Sequence, residues 1–196
     1  MMVTFKPQRL PGPWAAGYAL DLHTIHSIPY VDEYGNPQFE TVRTEVGELL
    51  YRLKYRSEAA AIRPLVDTAE TFIREWGIAF SAIVPVPATK PYRKIQPVIR
   101  LASELASRFH VPVTRNAVRR VTETPELKNV TDREERARLL DGAFETNTGI
   151  VAGRSLLLLD DLFRSGATMR AVTESLRNAG AKAVYAFAFT RTRSRF

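Results

Sequence analysis

Apolar and polar positions alternate in a way that divides this chain into short, well-marked elements. From Gly17 to Ile25, Tyr18, Leu20 and Leu22 alternate with smaller or polar residues, which predicts a strand. Asp32-Glu33-Tyr34-Gly35-Asn36-Pro37 is a turn cluster, and Phe39 to Arg43 reads as the returning strand of a hairpin. From Glu45 the spacing of Val46, Leu49, Leu50 and Leu53 predicts a helix that Ser57 and Glu58 break. A second helix is predicted from about Ala60 to Trp76, with Pro64 in its first turn and Gly77 as its stop.

Strands and helices then alternate. Ala79 to Val84 reads as a buried strand, Pro97 to Phe109 as a helix, and Val111 to Val113 and Ala117 to Val121 as short strands. A polar stretch from Thr122 to Asp132 precedes a short charged helix over Arg133 to Leu140. Ser155 to Leu159 is a strand, Ala167 to Ala179 a helix closed by Gly180, and Ala183 to Thr190 a last strand. This order predicts an α/β fold with a mainly parallel sheet flanked by helices. Residues 1–44 read as an N-terminal hairpin appendage and residues 45–196 as the main domain.

Composition adds bounds. The 196 residues are 45% hydrophobic and 25% charged, ordinary for a globular chain. No apolar run approaches the roughly 20 residues that span a bilayer, and the first residues lack the apolar core of a signal peptide. There is no cysteine, which removes disulfides and any cysteine-based zinc site. The expected location is cytoplasmic. The net charge of +7, part of it in the Arg191–Arg195 tail, suits single-stranded nucleic acid, a phosphorylated small molecule, or plain solvent exposure, and does not choose among them.

The richest chemistry lies between Leu156 and Met169. Four leucines end in Asp160 and Asp161, then Arg164, Ser165, Gly166, Ala167 and Thr168 lead into a helix. Ligands of open α/β sheets sit outside the carboxyl ends of the strands, where the two acids would emerge. Gly166 admits an anion close to the backbone, and the hydroxyls of Ser165 and Thr168 join the free N–H groups of a helix start. Two acids beside a phosphate cradle fit a ribose 5-phosphate. The alternative is a plain strand–turn–helix with aspartate caps.

This stretch resembles the motif of type I phosphoribosyltransferases that binds 5-phosphoribosyl pyrophosphate (PRPP). The resemblance implies that Asp160 and Asp161 hold the ribose hydroxyls in a catalytic role and that Arg164 to Thr168 wrap the 5-phosphate. Arg164 stands where the family usually has Thr or Ser; arginine also binds phosphate, through its fork of donors. A second loop, Val84-Pro85-Val86-Pro87 followed by Thr89, Lys90, Arg93 and Lys94, supplies cations that would hold the pyrophosphate. A third, polar and cationic, runs from Arg119 past Lys128, Arg133 and Arg136 and reads as a lid or a connector.

Taken in order, the landmarks resemble the ComF-like, competence-associated branch of that family. They are Leu53-Lys54-Tyr55, the Val84–Pro87 loop with Arg93 and Gln96, Thr124-Pro125, Arg136, Gly142-Ala143-Phe144 and Leu158–Thr168. The four-cysteine ribbon with which such chains often begin has no counterpart here. The resemblance implies Mg²⁺-dependent transfer of a phosphoribosyl group from PRPP to a nitrogen acceptor, without zinc. It leaves open a non-catalytic sensor or nucleic-acid accessory, the identity of the acceptor, and a homodimer. No residue stands out as a general base, and His23, His26 and His110 form no persuasive metal site. Acceptor recognition falls to peripheral segments, residues 1–44 among them.

Overall fold

The computed structural model describes residues 2–88, 96–121, 140 and 142–193. The strands are β1 (Gln8–Arg9), β2 (Ala16–Leu22), β3 (Thr24–Val31), β4 (Pro37–Arg43), β5 (Ala82–Pro85), β6 (Val118–Arg120), β7 (Phe144–Thr146), β8 (Ser155–Phe163) and β9 (Ala183–Arg191). The helices are α1 (Glu45–Tyr55), α2 (Ile62–Trp76), α3 (Pro97–Phe109), α4 (Thr148–Val151) and α5 (Ala167–Asn178).

The main sheet has the order β1-β2-β9-β8-β5. β2, β9, β8 and β5 run parallel, and β1 is antiparallel at the edge. Side-chain alternation on β8 explains its unbroken leucines. Leu157 and Leu159 enter one core with Leu20, Ile83, Phe187 and Phe189, against α1, α2 and α3. Leu156 and Leu158 enter the other with Val184, Ala186 and Ala188, against Met169, Val172 and Leu176 of α5. A strand covered on both faces has no polar side to present, and each such leucine contributes about 2 kcal/mol by burial.

The N-terminal part differs from the expected division. The predicted strand Gly17–Ile25 is two strands that part at His23. β2 lies in the main sheet, paired with β9 from Ala16↔Tyr185 to Leu22↔Arg191, because Ala19 and Leu20 are buried on both sides. The hairpin is β3 with β4, joined through the Asp32–Asn36 turn. It carries Ile28, Tyr30, Val31 and Phe39 exposed to solvent. Of residues 1–44, β1 and β2 therefore belong to the main sheet, and the appendage is the hairpin Thr24–Arg43. Two further expectations are shifted: the strand predicted over Ala79–Val84 is Ala82–Pro85, and the helix predicted from Ala60 opens with a 3₁₀ turn over Ala59–Ala61.

Candidate functional site

The site lies at the carboxyl end of β8. The strand was expected to stop at Leu159 and release both acids into a loop; instead it runs on to Phe163, and Asp160 and Asp161 are strand residues. Pairing with β9 continues through Asp160↔Ala188 and Leu162↔Thr190, which holds the acids in extended backbone. Alternation then separates them. Asp161 continues the Leu157–Leu159 series toward α1, where Lys54 Nζ lies 2.9 Å from its Oδ2. Asp160 continues the other series, and its Oδ1 accepts the Asp161 main-chain N–H at 2.8 Å.

The two carboxyls thus differ electrostatically. Asp161 is buried and carries its own cation. Among the described residues Asp160 has none in contact. Burial, with the neighbouring Asp161 carboxylate adding to it, pushes its pKa up to about 8. The consequence for stability has a definite sign. Between the ordinary carboxylate value and about 8 the folded protein binds a proton that the unfolded chain has released. Stability without ligand therefore falls as pH rises through that window. Asp160→Asn removes the cost, so its melting temperature is expected to exceed the wild-type value by more at about pH 8 than at about pH 5. A difference of at least about 1 kcal/mol, or about 2–4 °C, follows at this chain length. Paired thermal melts at the two pH values check it, and equal increments would contradict it.

The turn after β8 is built for close approach. Arg164 and Ser165 are exposed, and Gly166 is buried at φ +75, a left-handed conformation. A Cβ on Gly166 would overlap the Phe163 ring. That ring is fixed edge-on against Trp14, with centroids 6.1 Å apart, and Trp14 in turn donates to the Leu10 carbonyl at 2.9 Å. Gly166 is also the N-cap of α5 and offers no side-chain cap. Ser165 Oγ accepts the Ala167 N–H only at 3.5 Å. The first turn of α5 therefore keeps donors to spare for an anion, with the Thr168 hydroxyl half-buried beside them.

Two residues of the site carried no assigned role in the sequence reading. Lys54 stood in the Leu53-Lys54-Tyr55 element; its place on α1, one residue past the buried Leu53, brings it to Asp161 across 107 positions of sequence. His23 lay within the predicted strand Gly17–Ile25 and gave no local signal of a role, yet its Nδ1 lies 3.1 Å from Thr190 Oγ1 on β9. Among the described residues no three histidine, aspartate or glutamate side chains gather as a metal group. Of the other predicted residues, Thr89, Lys90 and Arg93, and Lys128, Arg133 and Arg136, lie outside the described residues, as do Thr124, Pro125 and most of the helix predicted over Arg133–Leu140. Among the described residues, no helix is long and apolar enough to cross a membrane.

Residues 99–195 match the model of the phosphoribosyl transferase domain. Competence protein ComFC of Bacillus subtilis (strain 168) is 28% identical over 160 residues, 81% of this chain. The chain spans 64% of that relative's length. Among solved structures, glutamine PRPP amidotransferase from B. subtilis, complexed with ADP and GMP, is similar at a TM-score of 0.48 and 16% identity, over 83% of this chain and 36% of that one. Adenine phosphoribosyltransferase from Saccharomyces cerevisiae is similar at 0.48 and 15% identity, over 82% and 81% of the two chains.

Proposed function

The chain belongs to the ComF-like type I phosphoribosyltransferases, and on that footing we propose that it binds PRPP and transfers the 5-phosphoribosyl group to a nitrogen nucleophile, releasing pyrophosphate. One observation carries the reading: an acidic pair at the end of β8, Asp161 buried and Asp160 half-buried, passes within five residues into a glycine turn and an uncapped helix start. In this reading Asp160 and Asp161 hold the ribose hydroxyls, and Arg164, Ser165, Gly166, Ala167 and Thr168 receive the 5-phosphate. Thr89, Lys90 and Arg93 hold the pyrophosphate; Lys128, Arg133 and Arg136 close over it as a lid.

Each group has a physical task. Transfer at C1 proceeds through a transition state with positive charge spread over the ring oxygen and C1. A carboxylate fixed nearby in a site of low dielectric stabilises that charge as it develops. Lys54 holds the Asp161 carboxyl in place, while Asp160, raised to about 8 by burial, ionises more readily once a ligand brings hydroxyl donors or a nearby cation. The helix start and the turn fix the 5-phosphate, which converts binding of that remote group into orientation of C1.

Magnesium fits the oxygen donors of this site. With two carboxylates on opposite sides of one strand, its ligands would come mainly from PRPP itself, with Asp160 and Asp161 reaching it through the ribose hydroxyls. Bound there, it would neutralise charge on the departing pyrophosphate. Freedom from cysteine accords with a cytoplasmic setting.

The test is a pair of measurements. Thermal melts with Mg²⁺ and PRPP are expected to rise, since a ligand of the native state stabilises it. Pyrophosphate release, screened over bases, ammonia and amino acids, is expected to saturate with one class of nitrogen acceptor. The net charge of +7 and the competence-protein relative support a second reading, a nucleic-acid accessory. No thermal rise, together with salt-sensitive retention on single-stranded DNA, would favour that reading over transfer.

A further inference from the structure

His23 stands at the same end of the sheet as the acidic pair, two strands away. β2 pairs with β9 and β9 with β8, so about 10 Å separates the outer two strand axes. β9 fills that interval, and the His23 ring lies across it from the acids at the carboxyl ends of the strands, the end where a ribosyl group would sit. The backbone at this point is fixed from three directions. The His23 N–H donates to Arg191 O at 2.8 Å. The Thr44 hydroxyl donates to Leu22 O at 2.6 Å. Gly47, lacking a side chain, lets α1 press on the His23 carbonyl, which a Cβ would overlap.

The neighbours of the ring favour one tautomer. Thr190 Oγ1 donates to the Asp161 carbonyl at 3.4 Å, so toward the histidine it accepts. Nδ1, at 3.1 Å, is then the N–H nitrogen, and the lone pair falls to Nε2. Among the described residues Nε2 has no hydrogen-bond partner.

We propose that His23 is the acceptor-side residue of the site, its Nε2 lone pair receiving the hydrogen of the nitrogen nucleophile that attacks C1. The inference rests on the phosphoribosyl reading above and names what that reading left without a residue. The step balances within the site. The nucleophile's nitrogen forms the bond to C1, and the C1–oxygen bond to pyrophosphate breaks with its electron pair leaving on pyrophosphate. The nucleophile's hydrogen passes to Nε2. The ligand class follows from the geometry: a neutral nitrogen compound with at least one N–H, since a group lacking that hydrogen has nothing to give Nε2.

The charges around the ring explain how such a base is kept ready. Burial first, then Arg43 on β4, Lys54 on α1 and Arg164 after β8, together lower its pKa to about 4 against the opposing pull of Asp161 on β8. The ring is therefore neutral in the unliganded protein at all ordinary pH. PRPP carries its phosphate and pyrophosphate charges into this field of three cations. Their neutralisation raises the basicity of Nε2 once the donor substrate is in place. Proton acceptance is thereby coupled to loading.

Nuclear magnetic resonance of ring-labelled histidines in the full chain tests this, because there are only three histidines and His23→Gln identifies the resonance. Unliganded, His23 is expected to show an unprotonated Nε2 and a protonated Nδ1 at neutral pH. With Mg²⁺ and PRPP its titration midpoint is expected to move up by about one pH unit, a tenfold gain in proton affinity. A thermal rise with PRPP in the same sample, but an unmoved His23 midpoint or a proton resident on Nε2, would overturn the inference and leave the phosphoribosyl reading standing. Absence of any thermal rise would overturn both.

Discussion

Replacing Asp160 and Asp161 together by asparagine is expected to abolish the stabilisation that PRPP gives. For the wild type at about one hundred times the dissociation constant, linkage gives about 2.7 kcal/mol. At this chain length that corresponds to a rise of roughly 5–11 °C. The double variant is expected to rise by less than about 1 °C. Asparagine is close to aspartate in size, so packing around β8 is retained. The unliganded melting temperature is the control. Loss of the Lys54–Asp161 pair lowers it, and removal of the strained Asp160 charge raises it. A double variant that still rises with PRPP as the wild type does would place the ribose elsewhere.

Gly166→Val is expected to cost the fold itself. Two penalties meet at one residue. The left-handed backbone at φ +75 costs a residue with a side chain about 1–2 kcal/mol, and a β-branched one more. The new Cβ overlaps the Phe163 ring, which is 4% exposed and braced by Trp14. Forcing such a ring aside adds about 1–3 kcal/mol. The sum is about 3 kcal/mol, or a melting temperature lower by about 6–12 °C. Ser165→Ala is the comparison: an exposed neighbour in the same turn, expected to melt within about 1 °C of wild type. Circular dichroism melts of the two variants check the pair. If Gly166→Val melted like wild type, the turn would not have the geometry on which the phosphate cradle depends.

Much of this architecture was legible in the order of residues. The helix Pro97–Phe109 was readable to the residue, since proline opens it and apolar residues recur at helical spacing. The two-sided burial of β8 was implied by four consecutive leucines, and the turn by Gly166. What escaped reading was set by contacts remote in sequence. The end of β8 moved from Leu159 to Phe163 because β9 pairs with it that far, a fact no local pattern contains. The break at His23 was hidden because β-favouring residues, Thr24 and Ile25, follow it directly. Only the docking of β2 beside β9 tells the two strands apart. Lys54 and His23 became site residues through partners 107 and 167 positions away. Electrostatic asymmetry between adjacent aspartates was equally unreadable, since it depends on which face each one takes.

The most direct measurement is a crystal structure of the chain with PRPP and Mg²⁺. The ribose hydroxyls are predicted within hydrogen-bond distance of the Asp160 and Asp161 carboxylates, with the 5-phosphate against Ser165 to Thr168 at the start of α5. A PRPP molecule bound away from β8, with Asp161 still closed on Lys54 and the turn empty, would contradict the account.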